Sequence, residues 1–152
     1  MLEKFSRHAK LVFTIANQEA QRYGHDHIAP EHILLGLVKE GSGVGSHALT
    51  DLGIDAREVR KAVLDFVGKG ADGSPPDVLH QTPEAKAVVE RAVVEARSHH
   101  EHVVGTEHIL LALMHNPEGI PAKVLTKLGV SFERVRREIH DVFDAGDDEG
   151  GP

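Results

Sequence analysis

Glu31-His32-Ile33-Leu34-Leu35-Gly36-Leu37 reappears 76 residues later as Glu107-His108-Ile109-Leu110-Leu111-Ala112-Leu113. The flanks repeat at the same displacement. Ala9-Lys10, Ala16, Glu19-Ala20 and Leu52-Gly53 return as Ala85-Lys86, Ala92, Glu95-Ala96 and Leu128-Gly129. Aligned without gaps, residues 5–67 match 81–143 with roughly 20 identities in about 63 pairs, and most other pairs keep their apolar or polar character. The chain is a tandem duplication, so a site built on one copy should have a counterpart on the other.

The periodicity within each copy is helical. Ser6 can cap a first helix in which Ala9, Val12, Phe13, Ala16 and Ala20 recur at steps of three and four, ending near Tyr23-Gly24. Pro30 suits the first position of a second helix, where its missing N–H is not needed, and Gly41-Ser42-Gly43 ends it. Val44 to Asp51 and Asp55 to Val67 supply two more helices. In the second copy Thr82-Pro83 gives a cap followed by proline, Thr106 is placed to cap the helix from Glu107, Pro121 begins the next, and Ser131 caps the last. No segment alternates as a strand would. We therefore expect an all-α fold of about eight helices in two pseudo-twofold four-helix repeats. Repeat 1 covers 1–67, a Gly- and Pro-containing linker 68–80, repeat 2 81–143, and a flexible acidic tail 144–152. A unit of about 60 residues has a marginal core alone, so the repeats are expected to share one.

Composition narrows the function classes. Of 152 residues, 40% are hydrophobic and 27% charged, as in a globular protein. No apolar run is long enough to span a bilayer, and with no basic, apolar, small-residue opening a signal peptide is not expected. The absence of cysteine removes disulfides and thiolate metal sites and fits a reducing cytoplasm. A net charge of −7 and 4% aromatic content argue against nucleic-acid binding.

Gly105-Thr106-Glu107-His108-Ile109-Leu110-Leu111, Glu40-Gly41-Ser42-Gly43-Val44 and the Leu-Gly-Val before the last helix resemble the Clp N-terminal (Clp-N) repeat domain, over about Leu2 to Phe143. In the Clp unfoldases that domain precedes ATPase modules. This sequence holds no G-x-x-x-x-G-K-[ST] loop, so the resemblance implies a free-standing module or a portion of a larger protein. It also implies a non-catalytic role: docking substrates and adaptor proteins for a Clp unfoldase–protease, with no cofactor. Similarity to the ClpC type implies phosphoarginine reading. There the motif glutamate meets the guanidinium, and the phosphate lies near the start of the repeat's first helix. Carried over, this nominates Glu31 and Glu107 for the guanidinium and Ser6 and Thr82 for the phosphate, with Thr106, Lys10 and Lys86 as helpers. A helix start offers N–H donors to an anion, and a carboxylate offers charge-assisted bonds to a guanidinium. Ala29-Pro30 replaces Gly-Thr in the first copy, which favours the site at Glu107. A further implied use is sequestering cyclic-peptide antibiotics, or competing with an unfoldase's own N-terminal domain.

Plainer readings exist for the same residues. Glu31 and Glu107 complement a helix dipole without a ligand, Ser6 and Thr82 are ordinary caps, and Lys10 and Lys86 suit a solvated face. His32 and His108 read as packed, hydrogen-bonded histidines. His25-Asp26-His27 and His99-His100-Glu101-His102 raise a rival from another class, a histidine-loop metal protein, although the H-x-x-x-E-H spacing is one residue longer than an inverzincin's. No nucleophile elbow or catalytic carboxylate pair appears. Apolar faces used internally favour a monomer.

Overall fold

The computed structural model describes residues 2–70 and 77–149, with side chains through residue 141. Residues 71–76 of the expected linker and 150–152 of the expected tail lie outside them. Among the described residues, eight helices follow the duplication. They are α1 (Arg7–Arg22), α2 (Pro30–Glu40), α3 (Val44–Asp51), α4 (Ala56–Val67), α5 (Pro83–Ser98), α6 (Thr106–Met114), α7 (Ile120–Lys127) and α8 (Phe132–Glu149). Displacing α1 and α3 by 76 gives α5 and α7 end for end. The all-α expectation holds, apart from β1 (His27–Ile28) and β2 (His80–Gln81), which pair in parallel. Two residues are too few to show alternation, so this ladder left no trace in the sequence pattern. The last helix runs past the expected limit at Phe143 to Glu149. No proline falls in that stretch, and Gly146 costs a helix only about 1 kcal/mol relative to alanine.

The duplicated heptapeptides form the centre. Ile33, Leu34, Leu35 and Leu37 of α2 and Ile109, Leu110 and Leu113 of α6 are at most 2% exposed. A helix apolar on most of its faces must be surrounded by others. α1 lies along α2 and α5 along α6. Gly36 permits the first of these contacts, because a Cβ there would run into the Val12 carbonyl oxygen.

Further packing crosses between copies. α3 packs on α6 and α8, and α4 packs on α7. The buried apolar residues of both copies belong to one cluster, which gives a larger buried core than either copy would have alone. Asn17 of α1 ties down the start of the second copy, accepting from the Leu79 amide at 2.9 Å and donating to the Asp77 carbonyl at 2.9 Å. Among the described residues no helix is long and apolar enough to cross a membrane.

Candidate functional site

The short ladders decide which helix starts meet. Ser6 N–H donates to the Val104 carbonyl at 2.8 Å, and Val104 N–H returns to Lys4 at 2.8 Å, beside the Phe5–Val104 bridge. In the related place, Thr82 N–H donates to the Ile28 carbonyl at 2.9 Å. The start of α1 therefore lies beside the start of α6, and the start of α5 beside that of α2. Ser6 is grouped with Glu107, and Thr82 with Glu31. Each pair takes its anion-facing half from one copy and its carboxylate from the other, whereas the sequence reading assigned both halves to one repeat. The reason is topological: the segment before each copy's second helix pairs in parallel with the segment before the other copy's first helix.

The hydroxyls of Ser6 and Thr82 act as caps. Each accepts the amide of the residue three ahead, Ala9 or Ala85, at 3.1 Å. Ser6 N–H is used in the bridge, so the amides of Arg7 and His8 are the ones α1 leaves without a helical acceptor. α5 offers fewer. Its first residue, Pro83, has no N–H, and its second, Glu84, brings a carboxylate. His8 stands at the corresponding place in α1 and pairs with Glu40 at 2.9 Å.

Ser6, His8, Glu101, Val103 and Glu107 line an open cavity of about 290 Å³. Glu107 is 9% exposed and reaches this space rather than being sealed in the core. Its carboxylate folds back over Gly105, where a Cβ would collide with it. Burial raises the Glu107 pKa above the usual carboxylate value, and Glu101 pushes it the same way. Half-buried Glu31 is also raised, by burial first and then by Glu84. A guanidinium would compensate either charge.

His32 and His108 occupy the third position of α2 and α6 and accept, through Nδ1, the amides of Ala29 and Gly105 at 2.9 Å. They do the work of the glutamate in a capping box. Burial, then the neighbouring His25 or His99, lowers both pKa values to about 4. The 3.4 Å approach of His108 Nδ1 to Glu107 is accordingly not an ion pair, because that nitrogen is accepting a proton donor. In the first copy the network runs further. With Nδ1 of His32 accepting, Nε2 carries the proton and donates to His25 Nδ1 at 2.7 Å. His25 Nε2 then donates to the Gly68 carbonyl at 2.7 Å. In the second copy the His99 and His108 rings are 6.1 Å apart, and His99 turns to the Glu95 carbonyl.

Thr106 is not the cap expected of it. Gly105 is the N-cap and Thr106 the first helical residue, with its hydroxyl accepting the buried Gly45 amide at 2.8 Å. It joins α6 to α3 and also lines the Ser6–Glu107 cavity. The equivalent positions are Pro30 and Pro121, which line a common cavity. Donor and acceptor have been replaced together, a change that leaves nothing unsatisfied. Lys10 and Lys86 are exposed and do not line the Ser6–Glu107 cavity.

The histidine loops do not converge. His27 turns to Asp26 at 3.0 Å, and both ring nitrogens of His25 are engaged. Among the described residues no group of three or more His, Cys, Asp or Glu side chains is placed to hold a metal. Sequence reasoning passed over His8 and Glu84. Displacing the residues after each cap by 76 sets them side by side and shows a carboxylate standing where the first copy has an imidazole.

The profile of the Clp repeat (R) N-terminal domain family matches residues 4–115 and 94–152. Similar proteins include the negative regulator of genetic competence ClpC/MecB of Bacillus subtilis, 43% identical over 139 residues, and the chaperone protein ClpB of Oceanobacillus iheyensis, 40% identical over 151. These alignments cover 91% and 99% of this chain but 17% and 18% of the relatives, so the chain spans less than a fifth of their length. The N-terminal domain of ClpD from Arabidopsis thaliana shares the fold with a TM-score of 0.80 at 22% identity, over 95% of this chain and 97% of that one. A ClpV N-domain in complex with a VipB peptide superposes with a TM-score of 0.68 at 14% identity, over 92% and 89%.

Proposed function

The chain belongs to the Clp repeat N-terminal domain family, and on that premise we propose that it is a non-catalytic docking module for substrates and adaptor proteins of a cytoplasmic Clp unfoldase–protease system. It acts as a monomer that reads phosphoarginine. The observation that carries the reading is the Ser6–Glu107 cavity, where Ser6 and His8 at the start of α1 and Glu107 of α6 border one space of about 290 Å³. The phosphate is assigned to the amides of Arg7 and His8, where donors and helix dipole act together. The guanidinium is assigned to Glu107.

The Thr82–Glu31 place is the weaker of the two. Pro83 removes a donor there, and Glu84 repels the phosphate. Docking in a relative supports the broader reading, since a ClpV N-domain takes up a VipB peptide. Such a module could compete with an unfoldase's own N-terminal domain or sequester cyclic-peptide antibiotics.

Calorimetry with phosphoarginine, arginine and inorganic phosphate tests the proposal. Micromolar binding of phosphoarginine is expected, with much weaker uptake of either half alone and loss in Glu107→Gln. No binding, or binding unchanged in Glu107→Gln and Glu31→Gln alike, overturns it.

A further inference from the structure

One inter-helix space is closed in the first repeat and open in the second. In the first, Glu19 of α1 is 1% exposed and is met by Lys39 of α2 at 3.5 Å and Arg60 of α4 at 3.6 Å. Both cations spend their charge on that buried carboxylate. The equivalent residues of the second repeat are Glu95, His115 and Arg136. Arg91 has replaced Ile15 one turn before the glutamate, and its Nη2 and Nε reach Glu95 Oε1 at 2.8 and 2.9 Å. The charge of Glu95 is thus answered within α5. Arg136, at the edge of this space, reaches Glu133 at 3.4 Å, in a pair whose side chains are 62% and 65% exposed. Such a pair contributes little and exchanges readily.

The space released is a cavity of about 580 Å³ between α5, α6 and α8. That lies within the range of about 300–1,000 Å³ usual for ligand sites. Leu111, Phe132 and Ile139 supply apolar lining, and Arg136 and the Arg91–Glu95 pair line the same cavity. It shares no residue with the Ser6–Glu107 cavity.

We infer that this cavity receives the C-terminal residue of a partner polypeptide, with an apolar last side chain against Leu111, Phe132 and Ile139 and the free α-carboxylate on the Arg136 guanidinium. A planar guanidinium binds a carboxylate through two parallel bonds. Adjacent charge and apolar lining call for both features on one residue. A chain end has both, whereas an internal Asp or Glu offers only the charge. The inference does not depend on phosphoarginine reading.

Fluorescence anisotropy of the full chain with a short fluorescein-labelled peptide ending in Leu tests it. The free acid is expected to bind, and amidating its terminus or changing Leu to Ser should each weaken binding about tenfold or more. Arg136→Ala should do the same without altering the thermal melt, since the residue is exposed. Arg91→Ile, which restores the residue of the first repeat, should free Glu95 to hold Arg136 and also weaken binding. Glu107→Gln should leave it unchanged, which separates this site from the phosphoarginine one. Equal binding of acid and amide, indifference to Arg136→Ala, loss in Glu107→Gln, or no binding of the acid at millimolar peptide would each overturn the inference.

Discussion

The starts of α1 and α5 descend from one ancestral segment yet present opposite surfaces. Both are capped by a hydroxyl at 3.1 Å and bridged to the other copy through the cap residue's amide. Beyond the cap they part. α1 continues with Arg7 and His8, keeping two amides and no acid; α5 continues with Pro83 and Glu84, keeping one amide beside a carboxylate. Cap and backbone path make a helix start, but the next two residues decide whether it welcomes an anion. The partner helices show the same kind of divergence. Thr106 binds the Gly45 amide where Pro30 stands near Pro121, so two solutions to one packing problem persist side by side.

The largest expected effect tests what the two copies hold in common. His32 and His108 must be neutral to accept their cap amides, and their folded pKa of about 4 lies below the unfolded value of about 6.5. The unfolded chain therefore binds more protons between those values, and stability falls as pH drops from about 6.5 toward 4. Each histidine contributes up to about 3 kcal/mol to that loss. Raised Glu31 and Glu107 act in the opposite sense, taking up protons more readily when folded, and offset part of it. Urea titrations at pH 7 and pH 4.5 check the sign. His108→Gln, which keeps a side-chain acceptor, should flatten the dependence.

Glu107→Gln should weaken phosphoarginine binding about tenfold to a hundredfold, the value of a charged hydrogen bond, with a smaller change from Glu31→Gln. Calorimetry of the single variants would break the comparison if the order were reversed. Because Glu107 titrates above an ordinary carboxylate, binding should also weaken earlier on acidification than an unperturbed glutamate would allow.

Thr106→Val strands the buried Gly45 amide and should cost about 1–3 kcal/mol in chemical denaturation. Pro30→Thr finds no donor at Pro121 and should change stability by less than about 0.5 kcal/mol. Equal effects would mean that the hydroxyl–amide bond carries no weight.

The smallest effect sharpens the contrast most directly. Glu84→His installs the α1 residue on α5 and should raise phosphate-ligand affinity at the Thr82–Glu31 place about two- to fivefold, the value of one charge at a helix start. The double variant Glu107→Gln/Glu84→His isolates that site for calorimetry.

Much of this was legible from the residues. The displacement of 76 located α5 and α7 from α1 and α3, because side chains that cap, bury and terminate a helix were copied with it. Glu31 and Glu107 were nominated by the motif, and both lie at helix starts with raised pKa values. The role of Thr106 was misjudged because a Thr before Glu looks like a cap. Its amide partner, Gly45, is 61 residues away, and nothing near Thr106 announces it. The bridge that pairs Phe5 with Val104 is too short to leave a pattern.

The sequence by itself determined the duplication, the helical class and the residue types at each helix start, since these depend on local spacing and on chemistry carried by single side chains. Only the tertiary structure decided which start faces which carboxylate, and that the Glu19 space is closed while the Glu95 space is open. Those outcomes depend on contacts between residues far apart in the chain, where the geometry of packing, not the order of residues, sets who is whose neighbour.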